Sequence, residues 1–355
     1  MFILFFSIFS LALLILVHEW GHFWAARLLG VRVQEFGFGF PPRLISRTKN
    51  NVRYSLNLLP LGGFVKIFGE QGEGAEEPDS FSSRPIAHRA LILAAGVLMN
   101  IAAAWLFFSI SVGIGLPRIA NQDEALLPVS IIEIAPHSPA EQAGLRPGDR
   151  IRELRSAEIA VRPGREEDVI DFIQAYRGEK ITLVVVRGEE RREIQATPRG
   201  SAPEGEGPLG IALARLTVQS VPWYWIPVEG LAMLGSAVLL TLRALAGIII
   251  ELIRDGTTAV PLSGPIGIFF VARDTSAFGI ASLMQFVGLL SVNLAILNAL
   301  PIPALDGGRM ALLAFEKIRG ARLSIRTENM IHAAGFAFLV ALMILVTYRD
   351  IVRIF

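Results

Sequence analysis

The chain has 355 residues, 52% of them hydrophobic, and its 33 Lys and Arg against 32 Asp and Glu leave a net charge of +1. Soluble proteins are roughly 45–50% apolar even with glycine counted, so the composition points to a membrane protein, and neither bulk charge nor a basic stripe supports nucleic acid as a partner. The absence of cysteine excludes disulfides, thiolate metal sites and cysteine nucleophiles.

Residues 1–17 carry no charge, and Glu19 is the only ionised side chain before Arg27. Roughly 20 apolar residues span a bilayer. A signal peptide would want a positive charge ahead of its apolar run, whereas here Arg27 follows it. A retained first span is expected, with its N-terminus outside and Arg27, Arg32, Arg43, Arg47, Lys49 and Arg53 in the cytoplasm. In residues 31–89, EFGFGFPPRL and LNLLPLGGFVKIFG interleave apolar residues with Gly and Pro. That pattern predicts a cytoplasmic or re-entrant region, with strands or a hairpin at membrane depth rather than a spanning helix. Residues 90–117 are uncharged and predict a second span, running outward.

Residues 118–215 change character. VSIIEI, KITLVVVR and RREIQAT predict strands, EEDVIDFIQAYR an amphipathic helix, and SPAEQAGLRPGDRI a helical turn that stops at Gly144. Together they make a soluble domain of about 100 residues. Residues 275–305 are again uncharged, and residues 329–348 carry no Asp, Glu, Lys or Arg, giving third and fourth spans. The short loop between them holds Arg309, Lys317, Arg319, Arg322 and Arg326, which places it in the cytoplasm. The apolar run 226–253 is interrupted by Glu229, Arg243 and Glu251. If it crossed, Asp306 would land on the far face of a hydrocarbon core roughly 30 Å thick. It is therefore expected as an interfacial amphipathic helix, on or dipping into the outer face without crossing. The resulting fold class is a polytopic α-helical membrane protein of about four spans with a membrane-associated β-hairpin region and one inserted α+β domain. Its parts are 1–117, 118–215, 216–274 (the interfacial segment and connector) and 275–355.

The chemistry is concentrated in HEWGH, residues 18–22. On a helix His18 and His22 share a face, so both imidazoles can bind one Zn2+ with Glu19 beside it as general base. Such a motif arises by chance in soluble proteins, but ionisable groups in a membrane helix are costly and mark function. Catalytic zinc wants three protein ligands and an open position. Asp306, in NALPIPALDGGR at the cytoplasmic end of the third span, reaches the same face as HEWGH and is the candidate third ligand. The competing role for Asp306 is to cap the helix that follows. His88, His137 and His332 are expected to be structural or interfacial.

HEWGH in the first span and LDG after a later one resemble the site-two protease family of intramembrane zinc metalloproteases. GFGFPPRL, LNLLPLGGFVKIFGE, SVNLAILNALPIPALDGGR and the inserted domain are similar to its bacterial regulator-of-sigma-E protease branch. The resemblance implies a multi-pass enzyme of the bacterial cytoplasmic membrane that cuts single-span substrates, such as anti-sigma factors or signal-peptide remnants. It also implies that Asn293 and Asn298 lie near the substrate, although both could equally bond across helices. An extended substrate segment could pair with the edge of residues 56–68, near Gly62 and Gly63. AEQAGLRPGDRI is similar to the turn of permuted bacterial PDZ domains, which implies an extracytoplasmic domain. Its groove, between residues 207–214 with Gly210 and Ile211 and the helix around Val169–Tyr176, would take a peptide C-terminus by strand addition. The domain could instead only exclude large ectodomains. A catalytically silent PDZ-bearing scaffold and a membrane zincin of another class are the competing functions.

Overall fold

The computed structural model describes residues 2–70, 72, 74, 76–120, 127–203, 205–219, 221–255 and 264–354. In chain order the elements are α1 (Phe2–Leu28), β1 (Val33–Lys49), β2 (Val52–Ile67), α2 (Ile86–Ile114), β3 (Leu116–Ile119), β4 (Val129–Ile134), α3 (Pro139–Gln142), β5 (Arg150–Arg155), β6 (Ala160–Val161), α4 (Glu166–Ala175), β7 (Ile181–Arg187), β8 (Glu190–Ala196), β9 (Ile211–Gln219), α5 (Ile226–Asp255), α6 (Pro265–Ser276), α7 (Ile280–Ala299), α8 (Asp306–Arg319) and α9 (Ile325–Ile354). They fall into two compact units: Met1–Ile110 with Tyr224–Phe270 and Met284–Phe355, and Ser111–Trp223 with Val271–Leu283.

In the first unit α1 and α2 pack antiparallel, because small residues let their backbones approach. A methyl added to Gly21 would collide with the Ala95 carbonyl, and one on Gly96 with the His22 ring. The two long strands β1 and β2 fold back on each other. Residues 35–38 lie between residues 53–56 on one side and 63–66 on the other, and residues 43–49 pair with 52–57. This is the β region expected from the Gly- and Pro-interleaved sequence. Helix α7 runs antiparallel to α2. Ser291 Oγ donates to the Asn100 carbonyl at 2.7 Å, and Gly288 packs under Phe108. So α7 runs in the same direction as α1, and the chain after α7 arrives where HEWGH lies.

The helices differ from expectation in two respects. The third span, α7, starts at Ile280 and not at 275, because α6 ends at Ser276 and Gly279 turns the chain with a φ of +95°. The candidate spans are also more numerous than expected. Among the described residues five helices, α1, α2, α5, α7 and α9, have the length and composition to cross a membrane, against about four expected. The fifth is α5, expected to lie on the outer face. It instead runs alongside α2. Trp105 Nε1 donates to the Pro227 carbonyl at 2.9 Å, Gly230 packs on Ser109, and Thr241 Oγ1 donates to Asn293 Oδ1 on α7 at 3.0 Å. By Thr241, α5 has therefore descended toward the depth of Asn100. The charges mislead because Glu229, Glu251 and Arg254 fall near the two ends of a 30-residue helix. Such a helix is about 45 Å long, and away from its ends only Arg243 interrupts the apolar stretch. Gly264 then donates to Asp350 near the end of α9.

The second unit is an antiparallel sheet in the order β3-β9-β4-β5-β7-β8, with β6 on β5. Val129, Ile131, Ile151, Leu154, Val169 and Ile181 form its buried core with α3 and α4. The predicted helix and strands are all present. The unit is wider than the expected 118–215 because β3 and β9 pair across both of its ends, from Leu116↔Gln219 to Ile119↔Leu216. Ala120 extends the pairing by donating to the Arg215 carbonyl, and Glu166 on α4 accepts the Arg215 N–H at 2.8 Å. Residues 215–219 of β9, just beyond the expected 207–214 groove, are thus covered by the chain's own segment. Asp149, fully buried in the GD turn, is paired with Arg187 at 2.7 Å.

Candidate metal centre

His18, His22 and Asp306 come together, each offering one donor atom, with all of these within 4.8 Å of one another. His18 and His22 lie one turn apart on α1, and their Nε2 atoms are 3.2 Å apart. Asp306 Oδ2 is 2.9 Å from the first and 3.3 Å from the second. Asp306 is the first residue of α8 and does not cap it. The N-cap is Leu305, without a side-chain bond, which leaves the carboxylate free to turn to the imidazoles. Close approach is possible because Gly307 and Gly308 press on the carbonyls of Ala299, Leu300 and Ile302, where any Cβ would collide.

The donor set fits a zinc ion. Ligands about 2.0–2.1 Å from a tetrahedral centre lie roughly 3.3 Å apart, close to the separations here. Asp306 Oδ2 is buried and receives no hydrogen bond despite its two near neighbours. His22 Nδ1 is 2.8 Å from the Ile92 carbonyl. A carbonyl only accepts, so Nδ1 carries the proton and the Nε2 lone pair faces the cluster.

Glu19 sits between this cluster and the β region. Its Oε2 accepts the Val65 N–H at 3.0 Å. Gly63 runs close by, and a Cβ there would lie 3.8 Å from Glu19 Cγ. A cavity of about 310 Å³ is lined by His18, Glu19, Asn100, Asn298 and Asp306 among others. Of the expected substrate residues, Asn298 therefore lies at the cavity, and Gly62 and Gly63 lie against α1, where Gly62 faces Ile15. Asn293 is committed to Thr241 in a cross-helix bond. Gly210 packs on Ser138 and Ile211 pairs with Ile134, both in the second unit.

Asn100 belongs to the site although no motif singles it out. It is fully buried, and its amide lies 3.3 Å from His18 Nδ1. Its Oδ1 has no hydrogen-bond partner among the described residues. A half-turn of the amide brings Oδ1 to Nδ1, where it accepts the proton and leaves His18 Nε2 for the metal. A signal for it exists in the sequence: a lone amide in an apolar span, one turn beyond Gly96, the glycine that admits both imidazoles.

The model of Peptidase family M50 matches residues 6–342. The chain is 33% identical to a protein of Nostoc sp. named as a zinc metalloprotease, over 96% of this chain and 93% of that one. It is 32% identical to the chloroplast membrane metalloprotease ARASP of Arabidopsis thaliana, over 96% and 76%. It is 28% identical to the zinc metalloprotease RasP of Shouchella clausii, over 99% and 98%. With its apolar helices and a three-donor cluster at their centre, the chain belongs to Peptidase family M50, the site-two proteases, in the branch of RasP, and is a multi-pass intramembrane zinc metalloendopeptidase.

Proposed function

We propose that His18, His22 and Asp306 hold the zinc and that Glu19 is the general base in hydrolysis of peptide bonds within or near the span of single-span membrane proteins. The observation that carries this reading is the convergence of the three donor atoms beside Glu19 at one cavity. Zinc, when bound, supplies a Lewis acid and lowers the pKa of a coordinated water toward neutrality. Glu19 takes the proton during attack and passes it to the leaving amide nitrogen. The Val65 N–H fixes its carboxylate beside the strand. An extended substrate segment laid along Gly62–Val65 would run past Glu19, which favours substrates with helix-weakening residues in their span. Asn298 can offer an amide N–H to the scissile carbonyl.

The test is co-expression with tagged single-span substrates. Glu19→Gln should retain one zinc per chain and lose about 10²–10⁴-fold in cleavage. Normal cleavage by that variant would sink the assignment.

The PDZ-like domain is proposed to face outside a bacterial inner membrane, since the two basic loops belong to the cytoplasm by their charge. Its proposed role is to exclude large ectodomains, with β3 and Glu166 tying down the 215–219 end of β9. Deletion of residues 120–215 should then let long-ectodomain substrates be cut without a prior cleavage. Unchanged discrimination would refute both the side and the role.

A further inference from the structure

The turn that delivers Asp306 is held only in part by its own backbone. Between α7 and α8, Ala304 has a φ of +75°, a left-handed conformation that suits glycine and is strained for alanine. The turn's backbone bonds run from Ile302 N–H to the Leu300 carbonyl and from Leu305 N–H to the Ile302 carbonyl. The Ala304 N–H instead donates to Nδ1 of His332, on α9, at 3.1 Å. One turn further along α9, Gly335 lies so close under Pro303 that a Cβ there would collide with the Pro303 carbonyl. One face of α9 therefore clamps the turn, with a glycine to admit the proline and an imidazole to take the Ala304 N–H.

An N–H donor requires a lone pair on Nδ1, so His332 acts as a neutral acceptor with its proton on Nε2. That Nε2 is buried and has no hydrogen-bond partner among the described residues. Glu328, one turn earlier on α9, is 3.9 Å away. His332 is not among the three donors of the metal cluster, nor does it line the cavity at Glu19. A polar ring in an apolar helix is costly, and its visible employment is this single bond.

We infer that His332 is a positioning residue for the third metal ligand. Its Nδ1 stabilises Ala304 in the left-handed conformation and so sets the angle at which the Asp306 carboxylate meets His18 and His22. The inference rests on Asp306 being a ligand.

The test measures zinc affinity of the full chain in detergent, by competition with a chromophoric chelator, together with kcat and KM on a single-span substrate. His332→Ala should weaken zinc binding about 10–100-fold, the size found for lost outer-shell partners, and lower kcat more than it raises KM. His332→Asn places an amide oxygen near the position of Nδ1 and should restore most of the affinity. Adding Ala304→Gly to His332→Ala should also recover part of it, because glycine adopts this φ unaided. Wild-type affinity in His332→Ala overturns the inference. So does equal loss in the Ala and Asn variants, which would make the ring a packing element only. Asp306→Ala measured in parallel separates the two levels. If it leaves zinc affinity unchanged, the ligand reading itself fails, whatever His332 does.

Discussion

Helices α7 and α9 are similarly apolar, yet 61% of the spanning window of α7 is buried inside the protein and only 6% of that of α9. The difference lies in which residues are not large and apolar. Helix α7 carries Ser282, Gly288, Ser291, Asn293 and Asn298 along its length. Ser291 bonds α2 and Asn293 bonds α5, while Gly288 admits the Phe108 ring. Helix α9 presents Phe336, Phe338, Met343, Ile344 and Leu345 outward. In a bilayer apolar surface gains nothing by pairing with other apolar surface, so helices associate through small and polar residues. Hydropathy locates a membrane helix, whereas its exceptions say whether it faces protein or lipid.

Substitutions can break this comparison at graded strength. The largest effect is expected at the cluster that α7 delivers. Asp306→Ala should lose more zinc affinity than the about 10–100-fold typical of outer-shell changes, measured by chelator competition, and cleavage should go with it. Retained stoichiometry and turnover would return Asp306 to a helix-start role. Next, Asn100→Leu should weaken zinc about 10–100-fold by removing the partner of His18 Nδ1, whereas Asn100→Asp, which keeps an acceptor, should lose less. Equal effects from the two would remove Asn100 from the site. The smallest pair probes packing alone. Gly288→Leu on α7 drives a side chain into Phe108 and should destabilise the fold by about 1–3 kcal/mol. Phe338→Ala on α9, at 59% exposure, should stay within roughly 0.5 kcal/mol. Thermal unfolding in matched detergent compares them, and equal shifts would mean that α9 is not lipid-facing in the way its burial indicates.

The cluster is legible in the sequence because its residues carry chemistry that an apolar context makes conspicuous. HEWGH needs only helical spacing, and Asp306 needs only the direction of α7, which the basic loops supply. The β region is legible from Gly and Pro placement. Pairing between distant segments is a different matter, because no local pattern carries it. Nothing in LPRI announces that Leu116–Ile119 will cover β9. Asn293 and Asn298 look alike in sequence, yet one is consumed by Thr241 and the other reaches the cavity. Counting the charges of α5 says less than it suggests, because Glu229, Glu251 and Arg254 fall near the two ends of the helix. His332 reads as structural or interfacial, and its bond to the turn at Ala304 depends on a backbone angle that no residue type in PIPALD declares.

Helix α9 is peripheral but fastened at two heights. Low down, His332 and Gly335 grip the turn before Asp306. Near its end, Asp350 accepts the N–H groups of Gly264 and Gly267 at the start of α6, at 2.9 and 3.0 Å. At 30 residues the helix is about 45 Å long, well over the roughly 30 Å of hydrocarbon, and an unfastened one answers a thinner bilayer by tilting more. This one cannot lean freely without levering one anchor against the other. A change of bilayer thickness is therefore expected to bear on both anchors, and a series of acyl-chain lengths read by zinc affinity would show whether it reaches the ligand turn.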